Sequence, residues 1–95
     1  MSRDMTKVKL LQPIIFDDKK ITELYLRVPT IDDIAEIGYP FLMIIDDNGT
    51  DIKIQPKAVL KYAAKLGGIP ASSLKNLTID DFSNLQTAVI SFFES

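Results

Sequence analysis

The chain has 95 residues, a formal charge of −2, 46% hydrophobic and 25% charged residues, and neither cysteine nor histidine. That length suits one domain burying about 60 to 65% of its unfolded surface, and the balanced charge argues against nucleic acid, which calls for clustered Lys and Arg. Without Cys or His, disulfides, thiolate zinc sites, cysteine nucleophiles and the commonest general base are all excluded; the N-terminus lacks a signal-peptide core, no run approaches the roughly 18 apolar residues of a membrane span, and a soluble chain inside the cell is expected.

In chain order, "KVKLLQPII" from Lys7 alternates so that Val8, Leu10 and Ile14 share a side, and Pro13 marks an edge strand with weakened pairing. After the turn-like "FDDKK", "ITELYLRV" places Leu24, Leu26 and Val28 on one face and Glu23, Tyr25 and Arg27 on the other, which predicts a hairpin over 6–28. Pro29 ends that strand and Thr30 stands at an N-cap position, opening a short helix over 30–38 lined by Ile31, Ile34 and Ile37 and stopped by Gly38. Asn48-Gly49, between two β-branched runs, predicts a small second hairpin over 41–54.

Pro56 suits the first position of a helix over 56–67, with Val59, Leu60, Ala63 and Leu66 on its apolar face and Gly67 as the left-handed stop. "ASSLKNL" reads as a helical turn or loop. The last helix, 78–93, is capped by Thr78 and carries Phe82, Leu85, Val89 and Phe92 on one stripe, widened by Ile79, Ile90 and Phe93. The fold class is therefore α+β: an N-terminal antiparallel hairpin packed on about three short helices, with a small hairpin in the middle.

Four Asp-Asp pairs invite a two-metal reading, with Asp32, Asp33, Asp80 and Asp81 as the ligands of a carboxylate-based metal enzyme. Local physics accounts for the pairs without one. Two stand in turns, and two follow the threonines of "TIDD", in first helical turns where the dipole favours negative charge. An EF-hand alignment on Gly49 puts Ile44 and Gln55 at the end ligand positions and fails. Ser72 and Ser73 lack a base, and no phosphate-binding glycine loop exists. The sequence holds no parts of a recognisable enzyme and calls for no cofactor or metal. What remains is apolar surface, and a partner-binding role is the stronger reading.

The segments "ITELYLRVPTIDDIAEIG" and "YAAKLGGIPASSLKNLTIDDFSNLQTAVISFF" resemble the phage tail assembly chaperone family of Mu-like and related contractile-tailed phages. The likeness rests on a strand, an Arg-x-Pro-Thr junction and a short helix, then on a helix, a Gly-x-Pro turn, an acidic helix start and a hydrophobic end. It implies a non-enzymatic protein of the bacterial host's cytoplasm that binds the tape measure protein, helps recruit tail tube subunits and, in many members, has a longer frameshifted form. "GYPFLMIIDDNGTDIKIQP" departs from the family's more direct run between helices. From the residues alone, the candidate partner-binding positions are Tyr39, Phe41, Ile79, Ile90 and Phe93; oligomerisation, a structural place in the tail and a generic adaptor role stay open.

Overall fold

A computed structural model describes residues 5–94. β1 (Met5–Phe16) and β2 (Lys19–Arg27) form one antiparallel hairpin, and β3 (Phe41–Asp46) and β4 (Gly49–Ile54) form another. α1 (Ile31–Ile37) lies between them; α2 (Pro56–Gly67), a 3-10 turn (Ala71–Leu74) and α3 (Ile79–Ser91) complete the order. The α+β architecture with an N-terminal and a middle hairpin is the one the periodicities predict.

The first hairpin turns at Asp17 and Asp18, both in left-handed backbone with φ of 57° and 62°. A two-residue turn matching the strands' twist needs that conformation at both places, and aspartate tolerates it better than most residues. The alternation then delivers Val8, Leu10, Ile14, Leu24 and Leu26 to one buried face. α2 covers β2 and α3 covers β1. Ala58, Val59, Tyr62, Ala63 and Leu66 from α2, Leu85 and Val89 from α3, and Leu74 complete the core. Two expected side chains fall elsewhere, and one that was not expected joins the core. Val28 lies past the end of β2 and is half exposed; Ile31, the first residue of α1, is 79% exposed although Asp33 in the same turn is buried; Tyr62, absent from the apolar face that the spacing of α2 predicts, is fully buried.

The left-handed stop of α2 falls at Gly68, with φ of 69°, rather than at Gly67. Gly67 remains helical, and a methyl group on it would stand 3.4 Å from the Leu26 side chain, so its small size serves helix-to-sheet approach. The second turn also sits one residue earlier than the Asn48-Gly49 dipeptide suggests. Asp47 and Asn48 form it, Gly49 pairs with Asp46 at φ of 117°, and the Asp46 carboxylate accepts from the Asn48 amide at 2.8 Å.

β1 is not regularly paired along its length. The register runs from Met5 opposite Arg27 to Lys9 opposite Glu23, then resumes with Ile14 opposite Ile21. Leu10–Pro13 thus face Thr22 alone, an irregular stretch that contains Pro13, which has no amide hydrogen to give the ladder. The Leu11 and Gln12 amides, lost to the ladder, donate to the two carboxylate oxygens of Asp81 at 2.7 and 3.0 Å. Asp81 is fully buried, and its own amide donates to the Thr78 hydroxyl at 3.1 Å.

Candidate functional site

Thr30 caps α1 by accepting from the Asp33 amide at 3.3 Å, and Asp33 returns the contact by accepting from the Thr30 amide at 2.8 Å, a closed capping box. The same buried carboxylate accepts from both terminal nitrogens of Arg27, at 2.7 and 3.2 Å, with the Lys65 ammonium 3.4 Å away. The Arg27 hydrogen bonds, more than any other contact, hold the Asp33 carboxyl below the usual carboxylate range. Lys65 also bonds Glu36. Asp33 and Asp81 are therefore each committed to a different internal partner, while Asp32 and Asp80 face solvent. Among the described residues no three acidic side chains gather as a metal would need.

The apolar surface is organised around the end of α3. The Phe93 ring packs edge-on against three others: Tyr62 at 5.3 Å, Tyr39 at 5.8 Å and Phe41 at 6.3 Å between centroids. Such tilted pairs place a ring's positive edge on its neighbour's negative face. The Tyr62 hydroxyl, carried into the interior, donates to the Gly38 carbonyl at 2.5 Å, and burial pushes its pKa up. Gln55 fastens the same place twice, its amide donating to the Pro40 carbonyl at 2.9 Å and its side chain to the Tyr39 carbonyl at 3.1 Å. Tyr39, Phe41 and Phe93 thus meet at one root. Ile79 and Ile90 stand elsewhere on α3: Ile79 is 85% exposed in the first turn, beside a shallow depression lined by Leu60, Leu74, Leu77 and Phe82, and Ile90 is partly buried.

From this root β3 and β4 extend as an arm that no helix among the described residues covers. Side chains alternate across a strand, so the register assigns Phe41, Met43 and Ile45 with Thr50, Ile52 and Ile54 to one face. Only the root pair is partly buried. Met43 is 60% exposed, Ile45 75%, and Ile52 about half. The other face mixes Leu42 and Ile44 with Lys53 and Asp51. One side of the arm is therefore an apolar ladder running outward from the aromatic root. Sequence reasoning found the root and missed Leu42, Met43, Ile44, Ile45 and Ile52; the uncharged run Phe41–Ile45 was the available signal, because a strand with a solvated face normally interrupts such a run with polar residues.

A family model described as phage tail assembly chaperone proteins, E, or 41 or 14, matches residues 7–94. No curated protein and no solved structure matches the chain. Among the described residues no helix is long and apolar enough to cross a membrane.

Proposed function

The chain belongs to the phage tail assembly chaperone family, and from that premise we propose that it holds the tape measure protein during tail morphogenesis and helps bring tail tube subunits to it. The apolar face of the arm is the surface that receives the client, with Tyr39, Phe41 and Phe93 as its anchored end and Ile79 and Ile90 on α3 as a secondary contact. One observation carries this reading: the core is filled by β1, β2, α2 and α3, yet Met43, Ile45 and Ile52 line a solvent-exposed apolar ladder. Exposed apolar surface of this extent marks a place for a partner, and the aromatic root supplies the rigid rings that concentrate binding energy at interfaces.

Client holding on such a surface is driven by apolar burial and is independent of divalent metal. Co-expression with the tape measure protein of the same phage tests it. The intact chain is expected to raise the soluble fraction of the client with or without chelator, and Met43→Ser with Ile52→Ser to abolish most of that gain while the protein stays folded. Equal solubility with and without the chaperone would refute the reading.

A further inference from the structure

We infer that the free edge of β3 pairs with β3 of a second copy of this chain, joining two arms into one four-stranded antiparallel sheet. The first observation is that the arm is unfinished: a two-stranded ribbon without a covering layer is marginal in water, and a third strand or a packing partner is what ordinarily stabilises it. The second is that its two edges differ. With Asp46 bonded to Gly49 across the turn, the alternation of an antiparallel ladder makes Ile44–Asp51 and Leu42–Lys53 the bonded pairs, and it points the amides of Met43 and Ile45 on β3 and of Ile52 on β4 outward.

On β4 that outward amide is already occupied, the Ile52 N–H donating to the carboxylate of Asp51 at 2.9 Å, and Asp51 and Lys53 add charge to the strand. Charged side chains are how natural sheets close an edge to further strands. β3 has no such guard: from Phe41 to Ile45 it carries neither charge nor proline.

The occupant is set by the register. If β3 meets its own copy about a two-fold axis at Met43, each Met43 lies opposite the other, Leu42 opposite Ile44, and Phe41 opposite Ile45, so the most exposed large apolar side chain of the arm gains the partner's aromatic ring. No charged residues oppose one another within the paired stretch, since Asp46 falls opposite Pro40. On the mixed face, each row across the four strands carries one Lys53 and one Asp51 at its two ends, which balances the charge. The apolar ladders of both copies become one continuous surface. A two-fold contact uses the same edge twice and closes on itself, and the guarded β4 edges stop the sheet at four strands.

Sedimentation of the full chain without client tests the pairing. The intact chain is expected to run at twice its 10.6 kDa mass, and Met43→Pro, which removes an outward amide from a strand no helix covers, to run at once that mass with unchanged helical circular dichroism. Because the chain has no cysteine, Met43→Cys introduces a single thiol about 5.5 Å from its symmetry mate between Cα atoms, and a short bifunctional thiol reagent should link it. Ile52→Cys places thiols three strand spacings apart, about 14 Å, and should not link. An intact chain that stays monomeric, a Met43→Pro chain that stays dimeric, or Ile52→Cys linking as readily as Met43→Cys would each overturn the inference, as would a monomer that pairs its β3 edge only with a client strand. Client solubility is scored separately, so a chain that dimerises but holds no client breaks the proposed function and leaves the pairing standing.

Discussion

The two hairpins are built from similar patterns and come to opposite ends. Both alternate, both turn in two residues, and both present one apolar face. In β1–β2 that face is sealed under α2 and α3, with Val8, Leu10, Ile14, Leu24 and Leu26 all buried; in β3–β4 no residue is buried at all. The difference lies in how the helices are shared between the two sheets. α2 and α3 each offer a stripe at helical spacing, and the first sheet takes both, so only the arm's root residues Phe41 and Ile54 reach the core or its aromatic margin. A strand's hydrophobic face states that it will be covered and leaves the cover unspecified. The first hairpin is covered from within the chain, and the second leaves its face in solvent.

Substitutions can pull that contrast apart, the largest effect belonging to the sealed sheet. Leu26→Ala, at a fully buried position under Gly67, is expected to lower unfolding stability by about 3 kcal/mol through lost burial and the cavity left behind. Urea denaturation measures it, and a loss no greater than that of a surface substitution would mean α2 does not seal the sheet. Next comes the irregular stretch of β1. Asp81→Ala removes the acceptor of two backbone amides and should cost about 2 kcal/mol, with amide exchange at Leu11 and Gln12 accelerating more than at Val8. Uniform acceleration along β1 would show that Asp81 holds α3 rather than the bulge. The smallest effect is expected on the arm: Ile45→Ser should change stability by no more than about 0.5 kcal/mol, although the same change removes part of the proposed client surface. A loss comparable to that of Leu26→Ala would mean the arm belongs to the core and erase the contrast.

Much of the fold was legible because it is written in local periodicity. Period-two runs around Leu24 and Leu26 and the helical spacing of Val59, Ala63 and Leu66 each name an element and its inner face without reference to the rest of the chain. The fates of Asp33 and Asp81 were not legible in that way. A carboxylate in the first turn of a helix looks the same whether it faces water or an internal partner, and the partners are distant: Asp81 reaches amides 70 and 69 positions earlier in the chain. The turn at Asp47 and Asn48 was misplaced by one residue because Asn48-Gly49 has the composition of a mirror-type turn, while the backbone satisfies positive φ only at Gly49. The root of the candidate surface could be read from its aromatic residues. Its extension along Met43, Ile45 and Ile52 could not, because exposure depends on which helices stay away.

The carboxylate of Asp81 also sets the order in which the molecule can be finished. It is supplied by α3 and received by β1, so until α3 has been synthesised the amides of Leu11 and Gln12 lack this acceptor. The N-terminal hairpin can form early, but it closes as a part of the folded protein only when residues 79–91 arrive. Translation that stops before them yields a hairpin with a gap in its ladder and β1 left without its covering helix, a product prone to aggregation or degradation.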